Sequence, residues 1–364
     1  MPDELHRNKM AAWMLRQFNK DPEEFPGHGQ IAYDKIFLSV EQELNKIHKE
    51  VGSFAAISDK QGFLTDHGPE HIAMVMRRAK ELSDTSSDDK PFETPLKPYE
   101  VFILLLSCHC HDVGNVYGRE GHEARIMDVI MKIPQYGELK PSEWRLIAQI
   151  ATVHGGTIDD DKDTIGKAIA SGQVDLCGKT IRPQLLAAIL RLADELSDDS
   201  SRASNYGFKL GTIPRESEIY HRFAKCLETV RINTKDKCIE LGFVLYPDDL
   251  NKPFGYLKAT VKSKVKEKYL IDEIYKRTKK TFCELMYCMK FMRMWPNHYD
   301  RVKVDLKAFV SHQSFAPFYA LSFTLTDKGY PSQVSTDIKQ LCDGFDGLDG
   351  SALKAKYEEA KLDV

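Results

Sequence analysis

The sequence predicts a mostly helical chain with a smaller α+β region toward its C-terminal end. Three observations predict it. Apolar residues recur at helical spacing in one segment after another up to about residue 200. After Tyr206 the pattern turns to alternation around a charged turn, which is how strands and hairpins read. Several of the helical runs also close on histidine or aspartate, and such groups are costly to bury without a partner.

Taken in order, residues 1–60 read as an N-terminal helical extension packed on the core. Ala11–Leu15 and Ile36–Leu44 carry helical spacing, with Pro26 and Gly27 between them. A loop at Thr65–Pro69 leads into a helix from Glu70, on which Ile72, Val75, Met76, Ala79 and Leu82 share one face. Residues 83–98 are rich in Ser, Asp and Pro and read as a loop. Tyr99–Cys110 is a strongly apolar helix, and Gly121–Ile133 is periodic. Pro141 opens another helix, with Ser142 as its expected N-cap, and this helix stops near His154, Gly155 and Gly156. Pro183 starts the next helix, which reaches Leu196. Residues 61–206 are therefore expected to form one helical domain.

Residues 207–330 are expected to form the α+β domain. Thr229–Leu245 reads as a hairpin turning at Thr234–Lys237. A long helix is expected from about Tyr269 to Met294, closed by Trp295 and Pro296, followed by strands at Val302–Val310 and Tyr319–Leu325. Residues 331–364 form a tail rich in Asp, Gly and Lys, with a short last helix.

Composition excludes several classes. Net charge is −3, so nothing drives the whole chain toward nucleic acid or an anionic membrane. The apolar runs are far shorter than the roughly 20 residues of a membrane span. The eight cysteines form no CxxC pair, which argues against a zinc ribbon. With no secretory signal at the N-terminus, reduced thiols in a cytoplasmic protein are expected. Five lysines from Lys258 to Lys268 read as a solvated face, and no aromatic stacking platform accompanies them, so support for nucleic-acid binding is weak. A homo-oligomer is compatible with everything above.

The chemistry concentrates in an ordered series. His71 opens one helix, the pair His111 and Asp112 ends the apolar run from Val101, His122 and His154 follow, and Asp194 sits in an apolar helix. Two imidazoles and two carboxylates from His71, His111, Asp112 and Asp194 suit a hard or borderline divalent cation: Mn, Mg, Fe, Co or Ni. Such a cation would supply hydroxide near neutral pH and charge for a phosphoryl oxygen. Asp112 would then serve the chemistry as well as the metal. His122 and His154 would bind a second metal or stay metal-free as proton-transfer or anion-binding groups.

The series resembles the HD superfamily of metal-dependent phosphohydrolases. The resemblance rests on His71 within Glu70–Val75, on His111, Asp112 and Gly114, and on Asp194 within Leu190–Leu196. It covers roughly residues 60–205. It implies an HD-type all-α domain, with these residues as metal ligands, followed here by the smaller α+β domain. The sequence looks most similar to HD proteins of bacterial anti-phage defence systems. HD enzymes that cleave cyclic di-GMP carry a Gly-Tyr-Pro signature and a His-His pair. Here His154 is followed by Gly155, and Asn115 stands where many relatives have Lys or His, so that substrate is disfavoured.

Each residue also has a blander reading. His111 and Asp112 alone would be a buried ion pair, and three partners in order favour the metal. His109, two residues before His111, faces away and reads as structural. His67 is a loop residue or a substrate contact in equal measure. Arg119, Arg125, Arg191 and Arg202 lie near the series and can fork onto phosphate, although each alone is more often a surface or ion-pair residue. The functional expectation is a (deoxy)nucleoside triphosphohydrolase using metal-activated water. The alternatives are a phosphodiesterase on cyclic or oligomeric nucleotides or RNA ends, and a nucleotide-sensing module without turnover.

Overall fold

Helix α4 (Pro98–Cys110) is buried at every position from Tyr99 to Cys110. A helix that is apolar all round must be surrounded on all sides. In the computed structural model, α1 (Lys9–Lys20), α3 (Pro69–Ser83), α6 (Pro141–Thr152) and α8 (Pro183–Glu195) pack against it. The structure describes residues 8–27, 29–57, 68–86, 90–118, 121–198, 208, 210–258, 261–293, 295–327, 338–342 and 344–362. Among them, one compact unit is drawn from Met1–Phe54, His67–Ser197 and Cys288–Asn297. The other is drawn from Ala55–Asp66, Asp198–Tyr287 and His298–Val364.

Two buried carboxylates fix the helix starts in the first unit. Glu100 takes the guanidinium of Arg182 at 2.6 and 2.9 Å and the Lys97 N–H at 3.0 Å, which ties the start of α4 to that of α8. Glu143 accepts the hydroxyls of Tyr33, from α2 (Tyr33–Ile57), and Tyr99 at 2.8 and 2.5 Å. It also accepts the Lys140 N–H at 2.8 Å. This corrects the expected cap of α6. Pro141 takes the first helical position and Glu143 turns back onto the N-cap backbone, so Ser142 lies inside the first turn.

Two further expectations are corrected here. Gly121–Ile133 is not one helix but a 3-10 turn, His122–Arg125, followed by the five-residue α5 (Ile126–Ile130). The left-handed Gly121 at φ 69° starts that turn. Past α7 (Thr164–Ala168), a region expected to be helical throughout contains a hairpin of β1 (Val174–Leu176) and β2 (Lys179–Ile181). Cys177 and Gly178 make its two-residue turn, both at positive φ, as a primed turn requires.

In the second unit α9 (Glu218–Cys226) precedes the expected hairpin of β3 (Leu227–Asn233) and β4 (Cys238–Leu245). Then come α10 (Pro247–Leu250), a hairpin of β5 (Phe254–Lys258) and β6 (Val261–Lys268), and α11 (Leu270–Met289). Strands β7 (Arg301–Ala308) and β8 (Tyr319–Thr326) follow, then α12 (Ile338–Leu341) and α13 (Gly350–Leu362). The sheet order is β3-β4-β7-β8, with β4 and β7 parallel and the other neighbours antiparallel. A parallel pair needs a long crossover, supplied here by the β5–β6 hairpin and α11. The long helix ends at Met289, short of the expected Met294, because tighter turns follow: Phe291 N–H bonds to Cys288 O and Met292 N–H to Met289 O. None of the eight cysteines is in a disulfide, and no described helix is long and apolar enough to cross a membrane.

Candidate functional site

Four helices of the first unit deliver polar side chains to one place. His71 comes from the first turn of α3, and Asp194 from the last turn of α8. His111 is the residue that ends α4, with Asp112 next in the chain, and His154 follows the end of α6. His122 comes from the 3-10 turn. His71, His111, Asp112, His122 and His154 are all buried, whereas the Asp194 side chain is 28% exposed and marks the open side.

Asp112 lies at the centre. Its Oδ2 is 3.5 Å from Nε2 of both His71 and His111. Its Oδ1 is 3.1 Å from His122 Nε2 and 4.0 Å from His154 Nε2. Asp194 Oδ1 faces His71 at 3.2 Å and His111 at 3.7 Å. Ligand atoms of His71, His111 and Asp194 lie within 4.8 Å of one another, and so do those of His111, Asp112 and His154.

Backbone carbonyls set two of the tautomers. His111 Nδ1 lies 2.8 Å from Cys108 O, and His154 Nδ1 lies 2.6 Å from Ala151 O. A carbonyl can only accept, so Nδ1 carries the hydrogen in both rings and Nε2 is left facing the carboxylates. Metal-binding histidines are usually held in this way. His111 Nε2 is buried and makes no hydrogen bond, although two carboxylates stand before it. That orphaned nitrogen, with the imidazole and carboxylate donor set, fits a divalent cation.

Electrostatics agree. Burial pushes His111 down, but Asp112 and then Asp194 outweigh it and lift the imidazole to about 9. Burial tends to raise Asp194, but the His71 hydrogen bond and the charge of His111 hold it far below the carboxylate range. Burial and His111 draw His154 down to about 4. Without a cation, then, a proton on His111 supplies the positive charge that the two aspartates demand.

Glu123 escaped the sequence reading, and Gly114 entered it only as part of the resemblance, without a physical role. Glu123 Oε2 lies 3.3 Å from His122 Nδ1, so His122 stands between two carboxylates. The only sequence signal was adjacency to His122. Gly114 has no room for a side chain, since a Cβ there would lie 2.0 Å from the His122 carbonyl oxygen. The turn after Asp112 can therefore bring His122 close only with glycine at 114.

The arginines fare differently. Arg125 is on the surface, paired with Asp128 at 3.2 Å and 60% exposed, and it does not join the cluster. Its turn points outward once His122 points in. His67, Arg119 and Arg202 lie outside the described residues. Arg191 is buried and bonds Thr164 Oγ1 at 2.7 Å, bracing α8 against α7. Asn115, just beyond Asp112, has an enclosed amide with no hydrogen-bond partner on either atom.

No curated protein and no solved structure matches the chain. The HD-CE family model matches residues 61–280, more than half of the 364. The match spans every member of the His/Asp cluster. HD-type domains bind divalent metals, and such a domain suggests a metal-dependent phosphohydrolase. On that match, the chain belongs to the HD-CE family.

Proposed function

We propose that the protein is a metal-dependent phosphohydrolase acting on nucleotides, most specifically a (deoxy)nucleoside triphosphohydrolase. The observation that carries this is the position of Asp112, whose two oxygens face different histidine pairs. A carboxylate so placed can serve two adjacent ligand groups, and two neighbouring cations would supply charge for the attacking and leaving oxygens of a phosphoryl transfer. His71, His111, Asp112 and Asp194 would hold one ion, and His111, Asp112 and His154 offer ligand atoms for a neighbouring one.

A divalent cation, when bound, supplies Lewis acidity and hydroxide near neutral pH. The chain's own residues do the rest. The Cys108 and Ala151 carbonyls keep the Nε2 atoms of His111 and His154 aimed inward. His122 can pass a proton at Nε2 or Nδ1, since a carboxylate stands beside each. The exposed side of Asp194 leaves a way in for substrate. A role in anti-phage defence rests on the sequence resemblance alone.

The experiment is metal analysis of protein purified without chelator, followed by a nucleotide panel with Mn²⁺, Mg²⁺ or Co²⁺. Bound divalent metal and release of intact triphosphate are expected. Nucleoside monophosphate as the product would mean a diesterase. Metal binding without turnover on any nucleotide would mean a sensing module.

A further inference from the structure

A groove of about 1170 Å³ opens on the helical unit, and none of the six cluster side chains lines it. Its size admits a drug-sized or nucleotide-sized ligand, for which pockets run roughly 300–1,000 Å³. Two features of its wall favour an anion. The starts of α1, at Asn8 and Lys9, and of α3, at Pro69, both lie on it. Helix N-termini gather positive partial charge, and these helices have 12 and 15 residues. Lys9, Lys49, Arg77 and Lys80 set four cations against the carboxylates of Glu41 and Glu81. Arg77 is paired with Glu81 at 3.0 Å and Lys80 with Asp84, so the helix starts and Lys9 matter most.

The floor has another character. Ile72 and Met76, both buried, line it together with Leu38, Gln42 and Asn45. His109 also lines it and is 1% exposed. Neither of its ring nitrogens makes a hydrogen bond, and Nε2 is 3.5 Å from Glu41 Oε1. An enclosed imidazole whose only polar neighbour is a carboxylate at 3.5 Å forfeits most of the hydrogen bonding it had in water. A flat ligand with donors and acceptors on its edge would restore them. His109 has no part in the cluster, although it stands two residues from His111.

An anion-favouring wall above an apolar floor with hydrogen-bonding groups matches one class of small molecule. We propose that this groove is a second ligand site, separate from the His/Asp cluster, and that it binds a nucleoside phosphate. The phosphates would lie at the starts of α1 and α3, with the base over Ile72 and Met76 and its edge toward His109, Asn45 and Gln42. This does not depend on the cluster being catalytic.

The test is fluorescence binding of N-methylanthraniloyl-labelled ATP and GTP to the full chain in EDTA, which keeps metal from the cluster. Binding is expected in the wild type and should persist in Asp112→Asn. Ala73 is exposed on the groove wall, so Ala73→Glu leaves the core intact and puts a carboxylate where the phosphates would sit. Ala73→Glu and Lys9→Glu should each weaken binding at least about tenfold, a difference of about 1.4 kcal/mol. No binding in EDTA overturns the proposal. So does a loss in Asp112→Asn as large as that in Ala73→Glu, or full binding in both groove variants. Inorganic pyrophosphate competing as well as the nucleotides also overturns it, because the base would then contribute nothing.

Discussion

Around the end of α4 the helical unit gathers four histidines and two aspartates. The inner face of the β3-β4-β7-β8 sheet is built differently, from Ile239, Leu241, Phe243, Leu245, Val302, Val304 and Leu306. Where a polar side chain is buried in that sheet, its needs are met: Asn233 donates to Asp236 at 2.8 Å and to Glu240 at 2.7 Å. In the cluster His111 Nε2 is enclosed and unbonded. Two carboxylates face that nitrogen at 3.5 and 3.7 Å without closing a hydrogen bond, and taking such charges out of water can cost more than their attraction returns. The sheet is organised for stability, and the cluster gives up stability to hold something.

The largest test of that contrast is Asp112→Asn. It keeps the side chain's shape but removes the charge between two histidine pairs. Bound metal should fall below a substoichiometric trace and turnover by at least about 10³-fold. Thermal stability of the metal-free protein should fall, because the protonated His111 loses one of the two carboxylates that face it. Elemental analysis, a hydrolysis assay and melting in EDTA read these three quantities. Normal metal content in the variant would break the comparison, because the aspartate would then be an ordinary buried ion-pair partner.

The opposite result is expected in the sheet. Leu325 is fully buried on β8, and Leu325→Ala should cost about 2–5 kcal/mol through lost transfer energy and the cavity left behind. Metal content per folded protein should stay unchanged. Chemical denaturation with metal analysis of the folded fraction checks both.

The same contrast explains what was legible in the sequence. Long helices announced themselves by period, and the β3–β4 hairpin by two alternating runs around Thr234–Lys237. His111, Asp112, His154 and Asp194 could be picked out because each interrupts or ends an apolar run, where a polar group is out of place, and His71 and His122 because they stand at helix starts in the same ordered series. Arg125 carried no such mark, and the structure leaves it in solvent beside Asp128. The β1–β2 hairpin was invisible because strands of three residues are too short to show a period. His122–Ile130 read as one helix because apolar spacing does not reveal a 3-10 turn. Its cause lies eight residues earlier in the chain, at Gly114, where only contact in three dimensions shows the need for glycine.

Gly114→Ala sharpens the point, since it adds one methyl and touches no ligand. The new Cβ would lie 2.0 Å from the His122 carbonyl oxygen, which is backbone and cannot swing aside. The 3-10 turn must shift and carry His122 off Asp112. A displacement near 1 Å can cost on the order of 10²-fold in rate. Turnover should fall by that order while the ion held by His71, His111 and Asp194 remains. Steady-state kinetics and metal content on the same preparation tell this from general misfolding, which would remove both.

The smallest expected effect belongs to His48, a buried histidine outside the cluster. Its Nε2 lies 2.8 Å from the His109 carbonyl, which fixes the hydrogen there. Burial, with His109 and His111 adding to it, lowers His48 to about 3 from the ordinary 6.5. The folded protein therefore holds it neutral, while the unfolded chain takes up a proton below about pH 6.5. Its contribution is complete above pH 6.5 and is lost as the pH falls toward 3, at a slope of at most about 1.4 kcal/mol per pH unit. His48→Asn cannot titrate, so the stability gap between wild type and variant should narrow steadily from pH 6.5 to 4.5 in urea melts. A gap that stayed constant with pH would mean that His48 keeps its proton in the folded state. Burial in the helical unit would then be less costly to charge than the contrast with the sheet requires.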